Sequence, residues 1–342
     1  MCASYNKSEL EDYLLVALAG ELSRSSPIRS EKLIELLPED SPVLYEGITA
    51  LCASYLSRGE ADNYLNTAMR AFKLAEKDES LVAEAKRSLG QALWYKGRAD
   101  EAMELLEEAK RAAQHNEDRV LGAHVELSIG LVHGSRSEYD KAIEHYKRAL
   151  SMHQEIGSPA YEANCFGNMA DAYINLGEIS AAYPYCTQAL SMHREVGNLR
   201  GIRNNLRHIS IIHKKRGEYQ EALEHLYQAL DFDRTVGNRG TEGVTLGEIG
   251  SILLEQGNDF SESRKCLQMA LEIGLEVNKA RNIKVEIDLA RCDEALGNIN
   301  EARKAASDAL ILAEELNITD DHHNRDAGKS LAHARRIAGV DD

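Results

Sequence analysis

The sequence predicts an all-α fold, a right-handed α-α superhelix of about seven helix-turn-helix units, on the strength of three columns of residues that return every 40 positions. Gly97, Gly177, Gly217, Gly257 and Gly297 form the first column, with Ser137 in the one remaining place. Seven residues before each of these lie Gly90, Gly130, Ala170, Ser210, Gly250 and Ala290, all small. The third column is alanine: Ala102, Ala142, Ala182, Ala222 and Ala302, followed by Ala109, Ala149, Ala189, Ala229 and Ala309, with Ala270 displaced by a one-residue insertion.

Each column has a structural meaning. A glycine on a fixed grid marks a turn between two helices. A position confined to Gly, Ala or Ser in the middle of an amphipathic helix implies that a second helix crosses there at close range. The neighbours Leu89, Ile129, Met169, Ile209, Ile249 and Leu289 are bulky and apolar, so they are expected in the core. The second helix of each unit is expected to stop at Gly157, Gly197, Gly237, Asn278 and Asn317, because Gly and Asn best tolerate the left-handed conformation of a helix C-cap. Each unit is then helix A of about 16 residues, a tight turn and a similar helix B. Such a hairpin cannot bury both faces alone, so units must stack.

On this reading residues 1–40 are a degenerate N-terminal helical cap, 41–317 the solenoid, and 318–342 a C-terminal capping helix or tail. Pro184 falls early in a helix B, where a missing N–H predicts a local kink.

Composition narrows the function classes. Apolar residues make up 43% of the chain and charged residues 28%, as in a folded, soluble protein. A net charge of −16 opposes direct binding to nucleic acid, which depends on Lys and Arg neutralising phosphates. The stretch Leu14 to Ala19 follows Glu9, Glu11 and Asp12, and is neither a signal peptide nor long enough to span a membrane. Six scattered cysteines without a CxxC pair suit reduced thiols in a cytoplasmic protein, and Cys165 and Cys186 are expected in the core. Twelve histidines carry no HExxH motif, and His322 and His323 beside Asp320 and Asp321 are better explained as a polar tail than as metal ligands. No phosphate-binding loop, dinucleotide fingerprint or nucleophile elbow occurs. The expectation is a protein without enzymatic activity or cofactor.

The columns resemble the tetratricopeptide repeat, above all in the run from Asn168 to Glu178. The 40-residue period is longer than that family's usual one and is similar to the subgroup that includes LGN/Pins scaffolds and Rap-type regulators. About six units between Leu81 and Asn317 match well, and one around Gly59 more loosely. The resemblance implies a scaffold, adaptor or sensor that holds a peptide or helical segment of a partner in a groove lined by A helices. It also implies which residues face that groove: Arg87, Gln91, Trp94 and Tyr95; Leu127 and Leu131; Asn164, Asp171 and Asn175; Asn204, Arg207, Lys214 and Lys215; Lys284 and Arg291. These vary from unit to unit, whereas the structural columns do not. Asn168 matches one of the paired asparagines of the LGN type, but Asp171 stands in the second place, which argues against transferring the LGN ligand.

Arg200, Arg203, Arg207, Lys214, Lys215 and Arg216 are an island of positive charge in an acidic chain. They suggest a partner with an acidic segment, or else pairing with acidic residues of adjacent units. A second functional class remains open: the chain as the sensor region of a larger signalling protein, a cyclase, kinase or transcription regulator, with its effector domain outside it.

Overall fold

The computed structural model describes residues 12–19, 27–38, 41, 43–76, 78–274, 279–316 and 325–340. These form seventeen helices and no strands among the described residues. They divide after Glu178 into two units. The first holds α1 (12–19), α2 (Pro27–Ile34), α3 (Leu44–Arg58), α4 (Ala61–Ala75), α5 (Glu79–Tyr95), α6 (Ala99–His115), α7 (Arg119–Ser135), α8 (Tyr139–Ile156) and α9 (Pro159–Leu176). The second holds α10 (Ile179–Glu195), α11 (Leu199–Lys215), α12 (Tyr219–Val236), α13 (Arg239–Gln256), α14 (Phe260–Gly274), α15 (Lys279–Leu296), α16 (Ile299–Glu315) and α17 (Arg325–Ala338). Odd-numbered helices from α3 to α15 are the A helices.

The turn column behaves as expected. Gly97, Gly177, Gly217, Gly257 and Gly297 have φ between 74° and 81°, the left-handed region that glycine enters without a Cβ penalty. There the chain reverses with a hydrogen bond reaching five residues back, as from Glu138 N to the His133 carbonyl at 3.0 Å and from Glu218 N to that of His213 at 2.9 Å. This closure satisfies carbonyls that the helix end leaves open. Ser137 holds the same conformation at φ 59°, and Glu117, one period before Gly157, does so at φ 54°. Of the expected B-helix ends, Gly157, Gly197 and Gly237 have φ of 67° to 72°, while Asn278 and Asn317 lie outside the described residues. The next A helix starts one residue later, where the side chains of Asp118, Asn198 and Asn238 cap α7, α11 and α13 by accepting from the N–H three residues on.

The small column marks helix crossings. A Cβ on Gly90 would meet the Leu106 Cγ at 3.0 Å, one on Gly130 the Tyr146 ring at 2.5 Å, and one on Gly250 the Leu267 Cγ at 2.6 Å. Ala170, Ser210 and Ala290 at the same point are buried, as are the alanine columns and Leu89, Ile129, Met169, Ile209, Ile249 and Leu289. One core in the first unit runs from Ala19 to Val132 and one in the second from Ala222 to Ile337. α10 runs unbroken through Pro184, whose missing N–H costs it one backbone hydrogen bond.

Candidate functional site: the faces of the A helices

In the first unit the residues expected to face a ligand fall into a polar network, an apolar pair and an open stretch. The Arg87 guanidinium donates from Nε to Glu84 at 2.9 Å and from Nη1 to the Gln91 side-chain oxygen at 3.2 Å, which also accepts from the Tyr64 hydroxyl at 3.4 Å. Arg87 stays 17% exposed. Tyr45 on α3 borders this network; burial, Glu84 and Cys52 push its hydroxyl up to about 12, against the pull of Arg87.

Trp94 and Tyr95 meet edge to face at 6.2 Å, and Tyr95 meets Tyr64 likewise at 6.3 Å. Both lean on the core of the first unit, so packing between helices accounts for them. Leu127 is a correction: it is only 9% exposed, because it lies in the run Val125 to Gly130, where every side of α7 is packed. Leu131, Asn164 and Asn168 are half-buried, and Asp171 and Asn175 are exposed. Asn175 donates only to the Asp171 carbonyl within its own helix, at 2.8 Å.

Two residues outside the expected set join this face. His124 occupies the same column as Glu84, and Tyr161 opens α9, 39% exposed. Their rings are 4.3 Å apart, and Arg87 lies close enough to help depress the His124 imidazole, whose main cause of depression is burial. The 40-residue offset from Glu84 is the signal in the sequence that could have found His124.

In the second unit the expected cations are matched from within. Arg207 makes a two-pronged ion pair with Glu248 of the next A helix, its Nε at 2.8 Å from Oε2. Lys214 pairs with Glu255 at 2.8 Å, again one A helix on. Arg203 turns inward to Asp233 at 3.3 Å and donates to Asn204 Oδ1 at 2.7 Å. Asp233 also accepts from Thr241 at 2.6 Å and Thr245 at 2.7 Å. Arg291 and Lys284 both reach Asp288 at 3.2 Å. Lys215 and Arg200 remain exposed. Half of the positive island is therefore paired from within: Arg207 and Lys214 bridge to the next repeat, and Arg203 pairs inside its own hairpin. A long cation satisfied this way is less available to an outside carboxylate.

Cys165 and Cys186, expected in the core, are buried there, as are Cys52, Cys266 and Cys292, and burial pushes the Cys52 and Cys165 thiols up to about 12. Among the described residues no cluster of His, Cys, Asp or Glu is arranged to hold a metal, and no helix is long and apolar enough to cross a membrane. His322, His323, Asp320 and Asp321 lie outside the described residues.

Comparison with known proteins places this fold. The family model described as Tetratricopeptide repeat matches residues 81–155 and 161–235. Those two stretches are thus tetratricopeptide repeats, and the fold is the all-α repeat fold of several solved proteins. Over 97% of this chain and 98% of the other, it superposes on a Rap protein solved in complex with competence and sporulation factor, with a TM-score of 0.63 at 12% identity. The apo quorum sensor NprR from B. thuringiensis gives 0.59 at 18% identity over 82% of this chain and 81% of that one. A STAND signal-transduction ATPase with a tetratricopeptide repeat sensor, from Pyrococcus horikoshii, gives 0.63 at 17% identity; 98% of this chain is covered but only 54% of that one. A 78-residue stretch is 35% identical to the 43 kDa receptor-associated protein of the synapse from Tetronarce californica, covering 23% of this chain and 19% of that protein. The chain therefore spans about a fifth of its curated relative and about half of the archaeal ATPase.

Proposed function

We propose that this protein is a non-catalytic interaction module that holds an extended segment of a protein partner against the A-helix face of its first unit, acting as a scaffold or adaptor. One observation carries the reading: α5 bears Arg87 and Gln91, and α9 bears Asn164, Asn168, Asp171 and Asn175, a mixture of donors and acceptors, together with the exposed Tyr161 ring. Extended peptides are read by such polar groups, which meet their main chain, and by aromatic anchors. The corresponding face of the second unit spends its strongest groups on bridges between repeats, so an acidic partner segment is no longer the favoured ligand.

The test is affinity capture with the intact chain, with an Asp171→Arg, Asn175→Arg double variant and with Lys215→Glu. The first variant changes exposed groups only and should lose the partner, while Lys215→Glu retains it. Retention of every partner by the double variant removes the reading.

A second reading makes the chain the sensor region of a larger signalling protein. It is favoured by the near-complete superposition on about half of an ATPase whose tetratricopeptide portion is termed a sensor. The likeness is one of fold, and the full reading frame decides it: a flanking effector domain supports it and an unrelated flank rejects it.

A further inference from the structure

We propose that the seam joining α7, α8 and α9 is an acid-sensitive latch, which opens as the pH falls and takes the first unit's ligand face apart. The latch is His153, near the end of α8 and 1% exposed. Its imidazole stacks on the Tyr161 ring at 4.8 Å and 12°, and lies 5.4 Å from that of His124. Among the described residues neither of its ring nitrogens has a hydrogen-bond partner, an uncommon state for a buried polar group. A neutral ring can sit there as a flat filler between aromatic faces, but an imidazolium needs an acceptor for each N–H and finds none.

The charged groups around the seam do not relieve this. From α5 come the mutually paired Glu84 and Arg87, and from the start of α7 Asp118, which already caps Leu121. Arg119 and Glu155 pair with each other at 3.3 Å across α7 and α8. Arg87 and His124 add positive charge rather than an acceptor. Burial, and then His124, lower the His153 pKa to about 4, and burial likewise depresses His124. Because the folded pKa is depressed, the closed seam is fully stable above about 6.5 and weakens as the pH falls towards 4. Tyr161 is both the lid on His153 and the aromatic member of the ligand face, so opening the seam displaces it.

The effect on a ligand rests on the function proposed above, but the latch itself is testable without one. Amide hydrogen exchange is followed at pH 7.5 and 5.0 in the wild-type chain and in His153→Phe, with rates converted to protection factors. A pKa of about 4 when closed and 6.5 when open implies a loss of protection on the order of tenfold or more at pH 5.0. The loss is expected in residues 147–165, with α5 and α6 unchanged and His153→Phe insensitive. Equal loss in the variant, or loss spread evenly over the first unit, overturns the latch. Should His153→Phe fold poorly, an NMR titration of the wild-type imidazoles decides: a His153 titration near 6.5 with protection intact also overturns it. If the latch passes and no partner is captured at pH 7.5, only the function reading fails.

Discussion

Two glycines on α7 make opposite predictions for the same substitution. A Cβ on Gly130 would lie 2.5 Å from Tyr146 Cε1 and 2.7 Å from Cδ1, in a ring only 3% exposed. The ring must move by roughly 1 Å within a packed hairpin, and overpacking of this kind costs about 1–3 kcal/mol. Replacing a mid-helix glycine with alanine returns about 1 kcal/mol of helix propensity. Gly130→Ala should therefore destabilise by about 1–2 kcal/mol at the upper end of the overpacking range and be close to neutral at the lower end. One turn later, a Cβ on Gly134 would meet only the Tyr146 hydroxyl at 3.4 Å, an ordinary contact. Gly134→Ala should keep the full propensity gain of about 1 kcal/mol. Urea unfolding followed by circular dichroism, read as a shift in the midpoint of the α7–α8 transition, measures both. Repeats in the Tyr146→Ala background isolate the clash: there Gly130→Ala should behave like Gly134→Ala. Equal shifts of the two glycine variants in the wild-type background would refute the assignment of the small column to helix crossings.

Ser137→Gly should raise stability by about 0.5–1 kcal/mol, since φ 59° strains any residue with a Cβ, and a thermal melt reads the gain. Arg207→Glu sets a carboxylate against Glu248 and should destabilise by about 1–2 kcal/mol; a double-mutant cycle with Glu248→Arg should recover part of it, which no loss of general solubility would reproduce. Burial and the neighbouring Asp308 raise Glu286 to about 7, so its destabilising charge is absent below 4.5 and present above 7. Glu286→Gln should thus add about 1–2 kcal/mol at pH 8 and nothing at pH 4, as denaturant midpoints at the two pH values will show.

The hairpins were legible in the sequence because their geometry repeats. Gly130, Gly250 and Ala290 are small for one reason, the crossing of a partner helix, and a constraint imposed six times leaves a column. The left-handed turns likewise left one, and Ser137 could be placed by the grid alone. The faces of the A helices left no such column, because a polar side chain there answers to whichever neighbour it meets. Arg207 and Arg87 occupy related positions, 120 residues apart, yet one bridges forward to Glu248 and the other folds back on Glu84 within its own helix. Nothing in spacing distinguishes them; the outcome depends on whether an acidic residue stands one repeat further on.

The same dependence explains why no motif in the sequence sets His153 apart from the other eleven histidines. It belongs to a column of B-helix ends that continues as His193 and Asp233, all about 1% exposed. In that column Asp233 is surrounded by donors from Thr241, Thr245 and Arg203, whereas His153 faces the ring of Tyr161 and meets no hydrogen-bond partner among the described residues. The contrast is set by the residue eight positions on, Thr241 in one case and Tyr161 in the other. A hydroxyl there satisfies a buried charge, while an aromatic ring tolerates only a neutral one. A polar position that the fold would accept as neutral filler thus becomes responsive to protons through a single neighbouring choice, and that neighbour, Tyr161, is the ring exposed on the proposed ligand face.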